Sequence, residues 1–266
     1  MASALDRLSA AVVRCRACPR LVAWREEVAR VRRRAYREQR YWGRPVPGFG
    51  DPAARLILVG LAPGAHGANR TGRMFTGDRS GAFLYAALHR AGLASQPVSH
   101  SRDDGLRLEG AWITAACRCA PPGNAPTPAE LERCAPFLAR ELGLLGEARV
   151  WVALGAVAWA AALKELARAG HPLPRPRPRF GHGAELRLEG GARAPRLLPP
   201  LPAEHPDRPA HPGDARRRPR PRPGAGRVAG PRAAGRPLGT RRDPGPGRAT
   251  VHPRVPAAPG QRHGAC

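Results

Sequence analysis

The residues best suited to chemistry fall into two groups, a glycine-rich stretch and a set of cysteines. Gly60-Leu-Ala-Pro-Gly-Ala-His-Gly-Ala-Asn-Arg-Thr-Gly-Arg-Met-Phe-Thr-Gly-Asp78 holds five glycines and one proline in 19 residues. Such a backbone turns tightly and lets a ligand approach closely. Its exposed N–H groups suit carbonyl or phosphate oxygens. Asn69, Arg70 and Arg73 are candidates for phosphate contact, Phe75 offers a stacking face, and Asp78 places a carboxylate where a helix begins. No Gly-Lys-Ser/Thr follows, and the glycine spacing of dinucleotide sites is absent, so both common phosphate loops are excluded. Cys15-Arg-Ala-Cys18 is a close thiol pair; Cys119 and Cys134 form a wider one, with Cys117 nearby and Cys266 far away. Four such thiolates suit either zinc or a [4Fe–4S] cluster, and the spacing alone does not choose.

These groups need elements to position them. Arg55 to Gly60 is a short apolar run ending in glycine, which predicts a buried strand; Ala111 to Ala116 and Val150 to Leu154 read as two more. Ser80 to Leu93 has helical spacing, with Ser80 as its cap. Thr127-Pro128-Ala129-Glu130 opens a helix with a capping residue, proline at the first position and an early acid. Ala156 to Arg168 predicts another. Strands alternating with helices imply an α/β fold, a three-layer α/β/α sandwich around a mainly parallel four-stranded sheet. Ligands of such sheets sit beyond the carboxyl ends of the strands, so the loops after Gly60 and Ala116 are the ones to watch.

Net charge is +25, nearly all of it arginine, because Lys164 is the only lysine. That balance favours nucleic acid as partner. No apolar run approaches the roughly 20 residues needed to span a bilayer. The start of the chain lacks a secretory pattern, so a cytoplasmic, nucleoid-associated protein of a bacterium with a GC-rich genome is expected. Every aromatic residue lies between Trp24 and Phe180. Residues 198–266 are rich in proline and arginine and poor in large apolar groups, a composition that predicts disorder. The expected division is a domain over 1–197 and a tail over 198–266.

The motifs resemble a known family. Gly60-Leu-Ala-Pro-Gly64 and Phe75-Thr-Gly-Asp78 are similar to the first motif of type-5 uracil-DNA glycosylases. The resemblance extends through Tyr41-Trp-Gly-Arg-Pro-Val-Pro-Gly-Phe-Gly-Asp51, Asp103-Asp-Gly-Leu106 and Arg118-Cys-Ala-Pro-Pro-Gly-Asn124. It implies a monomeric hydrolase of base-excision repair that flips uracil out of DNA and cuts its N-glycosidic bond. Hypoxanthine, xanthine and etheno-cytosine are further substrates that it implies. Gly60, Leu61, Ala62, Pro63 and Gly64 would lie along the base, and Phe75 would stack on it. Leu61 and Ala62 stand where many uracil-DNA glycosylases have a polar, water-positioning residue. Asp78 and Asn124 are then the implied catalytic substitutes, while Asp78 as a helix cap and Asn124 as a turn residue are the plainer readings. The resemblance also implies a structural [4Fe–4S] cluster on Cys15, Cys18, Cys119 and Cys134, with Cys117 a buried spare. A non-catalytic DNA-binding protein with structural zinc is the rival; paired carboxylates for a two-metal nuclease are missing.

One expected piece is absent. The family's second motif, His-Pro-Ser followed by Asn, does not stand in this chain. Codons for Leu198 to His205, read one nucleotide later, can spell Tyr-His-Pro-Ser-Arg-Gln-Asn. This implies a one-base frameshift near Ala194 to Leu197. A chain translated this way is expected to lack its last strand and helix and to have little or no activity.

Overall fold

The computed structural model describes residues 2–181, 184–188 and 195–199, all within one compact unit. Apart from Leu198 and Pro199, the expected disordered tail lies outside the described residues, as does Cys266.

Six strands form one sheet: β1 (Phe49–Gly50), β2 (Leu56–Gly60), β3 (Ala111–Ala115), β4 (Val150–Ala153), β5 (Leu186–Arg187) and β6 (Arg196–Leu198), in the order β1-β3-β2-β4-β6-β5. β3, β2, β4 and β6 run parallel, and the two-residue strands β1 and β5 add antiparallel edges. The sheet is therefore mixed and six-stranded rather than four-stranded. The expectation that the last strand is missing is also corrected. Val150, Trp151 and Val152 pair with Arg196, Leu197 and Leu198, and Leu197 is fully buried.

The helices are α1 (Ala4–Arg14), α2 (Pro19–Val31), α3 (Ala68–Thr71), α4 (Arg79–Arg90), α5 (Pro128–Leu144) and α6 (Ala156–Arg168). Alternate strand residues face opposite ways, and each face has its own core. Ile57, Val59, Trp151 and Ala153 pack with Leu5 of α1, Leu138 and Leu142 of α5, and Trp159, Leu163 and Leu166 of α6. Leu58, Ile113 and Ala115 pack with Met74 and with Tyr85 and Leu88 of α4. These are the expected three layers.

Local signals set most helix starts. Thr127 and Glu130 form a reciprocal capping box on α5 with Pro128 at the first position. α4 begins one residue before the expected Ser80: Asp78 is its cap, and the carboxylate Oδ1 accepts from the Gly81 N–H at 2.9 Å. Cys15 ends α1 and Cys18 begins α2, so the Cys-X-X-Cys turn joins two helices that the periodicity did not reveal.

Chain direction places the site. The connection after β2 leads to β3 on one side, whereas the chain after β4 reaches β6 on the other. A crevice opens where such connections diverge, at the carboxyl ends of β2 and β4. The glycine-rich stretch starts there.

Candidate active site

A cleft of about 580 Å³ lies at this point, lined by residues 61–68, by Met74, Phe75 and Gly77–Ser80, and by Asn124, Arg33 and Tyr36. It brings the expected base-binding residues Leu61, Ala62, Pro63, Gly64 and Phe75 together with Asp78 and Asn124. Gly60 stands just behind them, and the Phe75 ring packs on it. A Cβ added there would lie 2.8 Å from the ring. Phe75 itself has a left-handed φ of 52°, a conformation uncommon for a bulky side chain. Its carbonyl is pressed against Gly81, where a Cβ would lie 1.6 Å away. Gly60 and Gly81 thus make room for an aromatic plate on the cleft wall.

Asp78 is exposed to the cleft and uses its two oxygens differently. Oδ1 caps α4, while Oδ2 faces the glycine turn, 3.2 Å from the Cβ position of Gly64 and 2.1 Å from that of Gly67. Asn124 sits exposed on the rim with a left-handed φ of 56°. Its backbone N–H closes a turn to the Pro121 carbonyl at 3.2 Å. Its side chain has no hydrogen bond among the described residues, to Asp78 or to any other.

Two of the three expected DNA contacts, Asn69 and Arg73, need correction. Asn69 is fully buried, with Nδ2 donating to the Arg25 carbonyl at 3.2 Å. Arg73 is 3% exposed; its guanidinium pairs with Asp104 at 2.7 Å and also meets Ser99 and Thr76. Arg70 donates to the His66 and Gly77 carbonyls and to Gln39, and it stacks on Tyr36 at 4.1 Å. Asn69 and Arg73 staple the loop from inside, whereas the half-buried Arg70 also lines the groove around Trp42. Further cations stand on the surface beside the cleft: Arg33 and Arg79 at its edge, and Arg40, Arg44 and Arg102, alongside Arg70, in a neighbouring groove around Trp42. Nothing in their sequence context distinguished them from the chain's many other arginines.

His66 also lines the cleft and was not singled out by the sequence. Its Nδ1 lies 3.0 Å from the hydroxyl of the buried Tyr41. Burial, with Arg33 and Arg70 nearby, pushes its pKa below the ordinary imidazole value of 6.5.

Cys15, Cys18, Cys117, Cys119 and Cys134 line a single small cavity between α2, α5 and the segment after β3. None of the five is disulfide-bonded. The Cys134 sulfur accepts from the Arg118 N–H at 3.2 Å, and the Cys119 sulfur from Arg25 Nη1 at 2.9 Å. Arg25 is 2% exposed; its closest carboxylate, Glu26, is 3.8 Å away, and its Nε has no partner among the described residues. Among the described residues, no three His, Cys, Asp or Glu side chains converge as a single metal ion would require.

A second buried ion pair braces the strand that ends at this cavity. Arg118 and Glu141 are each 2% exposed at the side chain and meet at 2.5 Å, and Thr114 of β3 donates to the same carboxylate. No helix among the described residues is long and apolar enough to cross a membrane.

The family model of the uracil DNA glycosylase superfamily matches residues 47–207. The type-5 uracil-DNA glycosylase of Mycobacterium tuberculosis is 58% identical over 193 residues, 72% of this chain and 70% of that protein. That of Thermus thermophilus is 61% identical over 179 residues, 66% of this chain and 78% of its own. That of Pyrobaculum aerophilum is 52% identical over 155 residues, 58% of this chain and 67% of its own.

Proposed function

The chain belongs to the uracil DNA glycosylase superfamily and is a uracil-DNA glycosylase of the type-5 kind, and we propose that the cleft at the end of β2 is where it holds and releases the base. The single observation that carries this reading is the position of Asp78 Oδ2, set against Gly64 and Gly67 in the same cleft as the Phe75 ring.

The flipped base lies on Phe75, a contact worth about 1–3 kcal/mol for base–aromatic stacking in general. The backbone of Leu61 to Gly64 runs along its edge. Breaking the N-glycosidic bond leaves positive charge on the sugar and negative charge on the base. The Asp78 carboxylate faces the sugar, stabilises that charge and orients the attacking water; fixed in place by its capping bond, it needs little reorganisation. Asn124, free on the rim, is the second polar group that meets the nucleotide. Phosphates flanking the flipped nucleotide rest on Arg33, Arg79 and the arginines around Trp42. The apolar lining by Leu61 and Ala62 leaves room for other deaminated bases, hypoxanthine and xanthine among them.

The cysteine cavity fits a [4Fe–4S] cluster held by Cys15, Cys18, Cys119 and Cys134. A buried arginine whose nearest partner is a cysteine sulfur calls for negative charge on that sulfur or on the group it holds. Four thiolates suit zinc as well as a cluster, and the likeness to type-5 glycosylases favours the cluster. When bound, the cluster ties α1 and α2 to the segment carrying Asn124 and does no redox chemistry in base excision. Broad absorbance near about 400 nm in the purified protein tests it.

The codon arithmetic over Leu198 to His205 supports a one-base frameshift near Ala194 to Leu197 as the source of the residues that follow, with little or no activity in this translation as its consequence. Resequencing codons 190–200 tests that directly. The function is tested by excision of uracil from a duplex, with the frame-restored chain and its Asp78→Ala variant compared. Equal activity in both would sink the assignment of Asp78.

A further inference from the structure

We propose that His66 is a neutral hydrogen-bond donor that takes up an oxygen of the base in the cleft and holds it while the glycosidic bond breaks. The proposal rests on the cleft being the base pocket.

A relay of two hydrogen bonds sets the ring. The Arg33 N–H donates to the Tyr41 hydroxyl oxygen at 3.3 Å, and the same hydroxyl lies 3.0 Å from His66 Nδ1. Tyr41 is 7% exposed and has no other acceptor for its proton among the described residues. Every polar group is satisfied only if the Tyr41 O–H donates to Nδ1, because a buried hydroxyl proton without an acceptor is costly. Nδ1 is then the acceptor and Nε2 carries the ring proton. Nε2 has no protein partner among the described residues, so its N–H is left for whatever enters the cleft that His66 lines.

The chemistry explains why a neutral donor belongs there. The C1′–N bond breaks with its electron pair leaving on the base, where the charge spreads onto the carbonyl oxygens. Water supplies the oxygen that replaces the base on C1′, and one of its protons ends on the base. His66 transfers no proton; its N–H strengthens as the oxygen becomes more negative, which lowers the barrier rather than the ground state. The first strand-end residues, Leu61 to Pro63, have apolar side chains, so a side-chain donor must come from elsewhere on the lining. His66 is the one whose donor is set by a buried partner.

The test measures binding by the full chain as it exists, by fluorescence anisotropy. One duplex carries a cleavage-resistant 2′-fluoroarabino uracil nucleotide, and a matched duplex carries a tetrahydrofuran abasic site. The preference of wild type for the uracil duplex should fall by about tenfold or more in His66→Ala, with affinity for the abasic duplex unchanged. His66→Gln, which keeps an N–H donor, should recover part of the preference, and Tyr41→Phe, which frees the ring, should fall between. An unchanged preference in His66→Ala overturns the proposal, as does equal weakening on both duplexes, which marks a phosphate contact or a structural role. No preference in the wild type, with none in the frame-restored chain either, instead overturns the reading of the cleft itself.

Discussion

Asp78 and Gly67 are in such close approach that a Cβ on the glycine would stand 2.1 Å from the carboxylate oxygen Oδ2. Space alone therefore forbids a side chain at Gly67. One short side chain therefore joins two functions, since its other oxygen caps α4.

Gly67→Ala should consequently act as an Asp78 variant without touching Asp78. The methyl group must push the carboxylate aside, and we expect uracil excision by the frame-restored chain to drop on the order of a hundredfold. Misplacement of about 1 Å commonly has an effect of this size. Single-turnover excision measures it.

Asp78→Asn and Asp78→Ala separate the cap from the chemistry. Asparagine caps helices about as well as aspartate, so thermal stability should hardly change, whereas alanine should cost about 1 kcal/mol. Excision should collapse in both, since neither carries the charge. Urea melts and excision rates on the same two proteins check this pair of outcomes.

Glu141→Ala should be far more destabilising, by about 3–5 kcal/mol, because it leaves the buried Arg118 guanidinium unpaired. Replacing both residues with apolar ones of similar size should recover much of the loss. The comparison by denaturant titration shows whether the pair matters for its energy or for the uncompensated charge.

Acid should loosen the clamp between α2 and α5. The Arg20 guanidinium beside Glu130 holds its pKa down to about 2 from 4.5. A depressed folded pKa means that the unfolded chain binds protons first as pH falls. The stabilisation is therefore complete above about 4.5 and lost progressively toward 2. Glu130→Gln should be less stable at neutral pH by about 1–2 kcal/mol and lose less between those values. An acid titration of tryptophan fluorescence in both proteins tests it.

Arg25→Met should disturb the cysteine cavity while leaving all the cysteines in place. With the guanidinium gone, the Cys119 sulfur loses its donor. We expect lower iron content after reconstitution and a lower melting temperature of the iron-loaded protein. Iron analysis and thermal melts would show it; unchanged iron content would argue against a part for Arg25, and iron absent from the parent protein as well would argue against the cluster reading.

Much of this was legible in the residues themselves. Strands β2, β3 and β4, the capping box of α5 and the glycine stretch after Gly60 all show in the sequence, because periodicity, caps and turn chemistry act between near neighbours. The union of Phe75 and Asp78 in one cleft follows from that short loop as well. What escaped the sequence depends on distant partners. Asn69 and Arg73 look like any polar loop residues until Arg25 and Asp104 come to meet them. His66 becomes a directed donor only because Tyr41, 25 residues earlier, reaches its ring. β6 is a strand because Val150 to Val152 of β4 offer it an edge. Local pattern decides which backbone shapes are available; burial and pairing across the fold decide which polar atoms remain free to meet DNA.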